Sequence, residues 1–521
     1  MMIVRTVITF ALVIYTFFLV MRHNIHMFQL NGYKNDEQLW WIKKNLRQQW
    51  LLGFGAVVAI FRLFFPLLAL DILIYLVLLL EIAVYRALHR INTKKKLVYT
   101  ARVKRLITTI TIISVIPFVL VVFLIGIERV TGVLMLTVSC QIFVLLIANI
   151  INRPMEVMIN NHYINDAKRK LKEMPELVII GVTGSFGKTS VKYYLQTLLQ
   201  NRYNVLVTPG NFNTTLGVTR TIREYLKPTH EVFICEMGAR RVGDIKEICD
   251  LVHPDHGIIT SIGPQHLDTF NNIDNIIKTK YELADAVPSN GMLFLNGDNE
   301  YIQRKAADYP NRIMYFSEHE GQGYYAKDVS VSNYGTDFTV VTPNGDTERY
   351  QMKLIGMHNV INVVGAIAVA NSMGIALKDL IVPVRRIQPV EHRMQMKEHG
   401  NVTIIDDAYN SNPIGSKAAV ETLAMFDGIR ILITPGMVEL GEKEEEYNFN
   451  FGTYAADCCD YILLVGKKRA VPIRNGVLSK GFPEKKCLVY DKLEDALAYA
   501  YTIKGEGHRY ILLENDLPDN Y

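Results

Sequence analysis

The stretch VIIGVTGSFGKTSVKYYLQTLL, residues 178–199, runs from an apolar, strand-like segment through a glycine turn into a helix-like segment. A phosphate-binding loop requires that order, because backbone N–H groups at a helix N-terminus then face an anion. Gly184 and Gly187 let the backbone approach phosphate, and Lys188 supplies a cation. Thr189 offers a hydroxyl to magnesium, and Ser185 and Ser190 add further hydroxyls. The strict loop pattern fails at one place, since Val182 stands where its first glycine belongs, although Gly181 precedes it.

Farther along, other residues have types that suit the same chemistry. Joining a carboxylate to an amine requires an activated acyl group, and transfer of a γ-phosphoryl group from ATP creates one. The reactants are negatively charged, so cations must gather around them. Lys188 and Arg393 are candidates for neutralising the migrating phosphoryl group. Glu236 ends the apolar run EVFICE and, with Thr189, offers the oxygen ligands that Mg²⁺ prefers. His266 follows a second apolar run, GIITSIG, at the carboxyl edge where open α/β sheets place their sites.

The shifted glycine spacing resembles that of the Mur ligases, which build the peptide of the peptidoglycan precursor. TPGNFNTTLG (208–217), EMGA (236–239), GPQHLDTF (263–270), KYEL at Lys280, HNVINVVGAIAVA (358–370), HRM at Arg393, IIDDAYNSNP (404–413) and GMVELGE (436–442) resemble the same family in the same order. Together they cover about residues 175–450, and they are most similar to the members that add D-alanyl-D-alanine to a UDP-linked tripeptide. The resemblance implies a P-loop central domain with a parallel sheet and a C-terminal Rossmann-like domain, with ATP and Mg²⁺ as cofactors. It also implies roles for single residues. His266 would bind a second magnesium ion, and Lys280 would be carbamylated and act as a carboxylate ligand. Asn359 would contact adenine and Asp407 the ribose, and Asn211 and Asn213 would touch an anionic substrate or simply serve the turn. Asp406 is equally suited to a structural role, and His358 and Asn362 to capping and packing a helix.

Three departures stand out. The soluble members begin with a domain that binds the UDP-sugar, and apolar sequence fills that place here. The ending ILLENDLPDNY lacks the Lys-Gly-Ser of the D-alanyl-D-alanine-adding members, and Asn448 and Phe449 stand where a histidine is expected. The acceptor is therefore expected to be UDP-linked or lipid-linked, and the incoming amine an amino acid or dipeptide.

Half of the 521 residues are apolar, and the apolar sequence is concentrated at the start. Residues 1–155 carry 17 Lys/Arg against 5 Asp/Glu, whereas the rest carries 39 against 46. Spans of about 20 apolar residues are expected near 3–21, 51–69, 72–89, 106–126 and 131–151. The basic segments 22–50 and 90–105 then share one side, which the positive-inside rule makes cytoplasmic. The first span has Arg5 as its lone leading charge and no small-residue cleavage site, which argues against a signal peptide. Arg62 and Glu81 fall within spans, where a mutual ion pair or a substrate contact would account for each. Trp40, Trp41 and Trp50 flank Lys43, Lys44 and Arg47, as in an interfacial helix. The six cysteines show no metal-ligand spacing, which fits a reducing compartment.

The expected organisation is a membrane region at 1–155, an ATP-binding central domain at 156–388 and a C-terminal domain at 389–521. Catalysis would rest on Lys188, His266, Lys280 and Arg393, with metal held by Thr189, Glu236, His266 and Lys280. The partners would be a peptidoglycan-precursor-like acceptor, membrane lipid and a membrane protein, with no nucleic acid. A transport ATPase would carry an LSGGQ-type signature and a strand ending in Asp-Glu, and neither occurs. A non-catalytic nucleotide-binding scaffold is the remaining alternative.

Overall fold

The computed structural model describes residues 2–65, 67–90, 95–124, 129–309, 312–321, 323–332, 335–409, 411–505 and 507–516. Lys94, Glu128 and the ending 517–521 lie outside them, as do the side chains of Arg5, Arg47 and Arg90. Two compact units divide the chain, the first up to Asn161 and the second His162–Leu517.

The first unit is helical: α1 (Met2–Leu30), α2 (Asn35–Lys44), α3 (Leu46–Phe64), α4 (Leu68–Arg90), α5 (Ala101–Leu124), α6 (Val130–Ser139) and α7 (Gln141–Lys172). Four helices are long and apolar enough to cross a membrane, in the stretches Ile8–Leu30, Leu68–Leu88, Ala101–Leu120 and Gln141–Lys172. The apolar stretches in α3 and α6 are shorter. The expected span 131–151 is not one helix. Gln141 turns inward, donating to the Phe17 carbonyl at 3.1 Å and accepting from Asn24 Nδ2 at 3.2 Å, and α6 and α7 meet at Cys140. Phe61, Phe64, Leu76, Leu80, Ile112, Ile116, Leu120, Ile150 and Ile151 all face outward, the reverse of a water-soluble bundle.

An Arg62–Glu81 pair does not form. Arg62 binds Asp71 through two bonds, Nε–Oδ1 at 2.6 Å and Nη2–Oδ2 at 3.2 Å. Arg62 stands two residues before the end of α3 and Asp71 three residues into α4, which lets the two side chains meet. Glu81 lies roughly 15 Å farther along α4 at the usual helical rise. Trp40 and Trp41 lie on α2, where Lys44 Nζ stands 4.6 Å from the Trp40 ring.

The second unit begins with strands β1 (Val178–Thr183), β2 (Val205–Val207), β3 (Val232–Glu236), β4 (His256–Ile259), β5 (Leu293–Asn296) and β6 (Ile313–Ser317), all parallel. Three further strands, β7 (Gly323–Ser332), β8 (Gly335–Val341) and β9 (Thr347–Met352), extend the same sheet, β7 parallel to β6 and β8 and β9 antiparallel to their neighbours. Its order is β2-β3-β1-β4-β5-β6-β7-β8-β9. Ile180, Val182 and Ile234 fill one face of the sheet, and Ile179, Phe233 and Cys235 the other, the period of two that β-strands impose.

A second sheet follows, made of β10 (Gln395–His399), β11 (Val402–Asp407), β12 (Ile429–Thr434), β13 (Tyr461–Val465), β14 (Cys487–Tyr490) and β15 (Arg509–Glu514), in the order β10-β11-β15-β12-β13-β14. Only β10 is antiparallel, at the edge. The carboxyl ends of β11, β15 and β12 therefore lie side by side and carry Asp407, Glu514 and Thr434.

Candidate active site

The phosphate loop joins β1 to the helix α8 (Lys188–Leu199). Gly187 caps that helix with φ +82°, and Gly184 has φ +152°. A Cβ on Gly184 would run into Thr260 Oγ1, and one on Gly187 would sit 2.9 Å from Asn362 Oδ1, so both positions require glycine. Ser185 turns away from the loop cradle, and its hydroxyl exchanges bonds with Gly263 at 3.0 Å in each direction. Ser190 is buried on the first turn of α8. Lys188 folds back on the loop, donating to Gly184 O at 2.7 Å and Ser185 O at 3.3 Å. Burial lowers its pKa to about 8, with Glu236 opposing the shift and Arg393 adding to it.

Glu236, at the end of β3, is buried and accepts from Thr189 Oγ1 at 3.1 Å and Asn213 Nδ2 at 2.9 Å. Its other oxygen faces Lys192 Nζ at 2.9 Å. Lys192 is fully buried and also donates to Gly210 O at 2.7 Å. Burial alone would raise the Glu236 pKa, but Lys192 and Lys188 more than offset it and hold the carboxylate charged. Sequence reasoning missed Lys192, although it stands one helical turn after Lys188 on the same face.

His266 has φ +51°, and its Nδ1 hydrogen-bonds Glu439, which comes from the loop after β12 and has φ +63°. Arg240 Nη2 reaches the same carboxylate at 3.2 Å. Burial lowers the His266 pKa in spite of that bond. Burial acts to raise the Glu439 pKa, yet His266 and Arg240 bring it down to about 2. Glu439 is a second residue the sequence reading left without a role, although it lies within GMVELGE. Asn448, where a histidine was expected, is buried and braces this loop. It accepts from Met437 N at 2.9 Å and donates to Met437 O at 3.1 Å and Glu444 O at 2.8 Å.

Lys280 is buried, and its pKa lies well below the ordinary lysine value. Desolvation is the main cause, and the charge of Lys188 adds to it. Lys188 is thus within electrostatic reach of Glu236, Arg393, His266 and Lys280.

Arg393 lies in a turn between His392 (φ +57°) and Met394 (φ +50°), with its guanidinium 4.3 Å from the Tyr409 ring centre. Beside it a cleft of about 610 Å³ is lined by Thr189, Tyr193, Asn211, Gln388, Arg393 and Tyr409. Asp407 accepts from Met394 N at 3.2 Å, and burial raises its pKa to about 6. Asp406 is engaged by His392 at 2.9 Å and Lys397 at 2.6 Å, a structural role. Asn359 does not reach the cleft. It is buried, with Oδ1 accepting from Tyr194 at 2.8 Å and Nδ2 bound to Ile355 O at 2.8 Å.

The donor set fits the expected groups. Thr189 and Glu236 present hard oxygen atoms side by side, as Mg²⁺ requires, and the glycine cradle suits a triphosphate. Among the described residues no group of three or more His, Cys, Asp or Glu side chains forms a metal cage.

Comparison with known proteins places this geometry. Residues 182–370 match the Mur ligase middle domain and residues 392–513 the Mur ligase glutamate ligase domain. The UDP-N-acetylmuramoyl-tripeptide–D-alanyl-D-alanine ligase of Bacillus subtilis (strain 168) is 31% identical over 335 residues, 64% of this chain and 71% of that protein. The ligase of the same name from Escherichia coli (strain K12) is 29% identical over 382 residues, 70% of this chain and 83% of that one. The structure of MurF ligase from Thermotoga maritima in complex with ADP shares the fold, with a TM-score of 0.62 at 24% identity over 69% of this chain and 81% of that one. Fold and site define an ATP-dependent, magnesium-using ligase that forms carbon–nitrogen bonds. The chain belongs to the Mur ligase family.

Proposed function

We propose that this ligase is membrane-anchored, with its catalytic unit in the cytoplasm, and adds D-alanyl-D-alanine or a related amine to a muramoyl tripeptide through an acyl phosphate. The observation that carries the reading is the set of charges around Lys188, with Glu236, Arg393, His266 and Lys280 all within its field. Lys188 and Arg393 balance the charge of the phosphoryl group as it passes to the acceptor carboxylate. Thr189 and Glu236 would hold a magnesium ion, which would supply positive charge to the phosphate oxygens. Lys280, buried and with its pKa held well below the ordinary lysine value, is chemically prepared to take up CO₂ and become an anionic ligand. Arg393 and Tyr409 line the cleft that suits the nucleoside, and Asp407 accepts from the backbone next to Arg393, at Met394 N. For Asn359 to meet the base, Tyr194 has to release its amide oxygen. Asn213 supports Glu236, leaving Asn211 free at the cleft for the substrate.

The outward-facing apolar side chains of α3, α4, α5 and α7 support the membrane anchor. They also favour a second reading of the acceptor, in which it is carried on a lipid. The positive-inside rule asks that both basic connections share the cytoplasmic side, which requires α3 and α4 to enter and leave as a hairpin.

The test is ADP release by the purified full-length protein with UDP-linked muramoyl tripeptide or its lipid-linked form, each with and without D-alanyl-D-alanine. Release that requires both acceptor and amine supports the ligase reading. Preference for the lipid-linked acceptor gives the helical unit a presenting role, and turnover indifferent to every acceptor and amine overturns the proposal.

A further inference from the structure

With Arg62 committed to Asp71, Glu81 is left as a fully buried carboxylate, and neither of its oxygens has a hydrogen-bond partner among the described residues. One turn along α4 the hydroxyl of Tyr85 is likewise buried and unpartnered, and the Glu81 charge reaches it. The other nearby cation on α4, Arg86, is held by Tyr15, with Nε 2.8 Å from its hydroxyl and the guanidinium 5.3 Å from its ring centre. Two more rings lead away from Tyr85 in succession. His23 of α1 lies 5.4 Å from the Tyr85 ring centre, and Trp41 of α2 lies 6.0 Å from His23. All four side chains are buried.

A carboxylate in an apolar interior is costly unless a counter-charge meets it. Aromatic faces beside it add attraction for a cation whose own hydration is weak. A divalent metal needs several oxygen ligands, and Glu81 supplies one carboxylate among rings, so the chemistry selects an organic cation instead. We propose that Glu81, Tyr85, Trp41 and His23 form a binding site for an organic ammonium group. Trp41 adjoins the exposed Trp40 on α2, a helix that also carries Lys43 and Lys44, which puts the Trp41 end of the site at headgroup level, with Glu81 deeper along α4, if the unit spans a membrane. The cation could therefore belong to an ethanolamine lipid or to a free alkylamine. Only that choice of source rests on the membrane reading, and the ligase chemistry is not involved.

The test uses full-length protein in detergent, in a Trp40→Phe/Trp50→Phe background so that Trp41 alone emits. Ethanolammonium chloride is titrated against sodium chloride at matched ionic strength. The expected result is a saturable change in Trp41 emission with the organic cation, weakened at least tenfold by Glu81→Gln and severalfold by Tyr85→Phe. Nanodiscs of phosphatidylglycerol with and without phosphatidylethanolamine separate the sources. Bound-state emission without added amine identifies the headgroup, and a response to added amine in both lipids identifies a free ligand. Emission indifferent to the amine, or altered equally in Glu81→Gln, overturns the proposal, as does a response to pH alone, which would make Glu81 a proton site. Should Glu81→Gln fail to fold, Tyr85→Phe decides by the same comparison. Because no ATP is used, failure here leaves the ligase reading untouched.

Discussion

Glu439, on the loop after β12, hydrogen-bonds His266, on the loop after β4, and so ties the C-terminal sheet to the central sheet across the reaction centre. Glu439→Gln keeps the shape and removes the charge. A charge-assisted hydrogen bond contributes about 2 kcal/mol, so acceptor-dependent ADP release is expected to fall about 30-fold in kcat. The KM for ATP should change little, since the phosphate loop is intact. Arg240→Ala should have a smaller effect, because Arg240 is 54% exposed and its attraction is screened. Steady-state kinetics on both variants checks this.

Lys188→Ala removes a phosphate-facing charge from a loop without emptying a core position. ATP-dependent turnover should drop at least about a thousandfold, while far-UV circular dichroism and the melting temperature stay close to those of the parent. Loss of fold in this variant would show that the bonds from Lys188 to Gly184 and Ser185 hold the loop together.

Burial and the charge of Lys188 depress the Lys280 pKa well below that of an ordinary lysine, which favours reaction of its amine with CO₂. Depleting bicarbonate from the buffer should lower ligase activity, and restoring it should bring the activity back. Lys280→Ala should be inactive and insensitive to bicarbonate, and partial rescue by a short carboxylic acid would show that a carboxylate is what the site lacks.

Glu514 predicts a pH dependence of stability. Burial raises its pKa from 4.5 to about 7, opposed by hydrogen bonds from Ser411 and Thr434. The folded state then binds a proton that the unfolded chain releases, so this contribution is fully present below pH 4.5 and is lost as pH rises through 7. Glu514→Gln should flatten that slope. Relative to the parent, the variant should gain on the order of 3 kcal/mol between acid and alkaline conditions. Chemical denaturation at several pH values reads the difference.

A chain beginning at His162 should fold, whereas one beginning at residue 173 should not. The end of α7 buries Ala167, and Asp166 pairs with Arg223 at 2.8 Å while Lys170 reaches Ile222 O at 3.0 Å. Expression of the two truncations with nucleotide-binding assays tests this.

The strand–glycine–helix order around Lys188 was legible because it is local, and so were the apolar runs EVFICE and GIITSIG that became β3 and β4. Glu236 and Thr189 could be paired from sequence because each ends or begins an element on one sheet edge. Glu439 was not legible, since its partner His266 lies 173 positions away and only the packing of two sheets brings them together. The Arg62–Glu81 pairing failed for a related reason. A carboxylate closer to the turn competed for the same arginine, and helical rise decided the contest. Edge strand β10 escaped notice because Gln395–His399 is polar and half-exposed, without the apolar alternation that marks a strand.

The Lys192–Glu236 pair bears on the order in which reactants arrive. The charge of Glu236 is already balanced from within, so the protein alone is a weak trap for free magnesium. The triphosphate brings the extra negative charge that makes a dication welcome, and the metal should therefore enter with the nucleotide rather than ahead of it. A buried lysine would then give the enzyme an obligatory sequence of binding: magnesium alone leaves it idle, and the nucleotide complex starts the cycle.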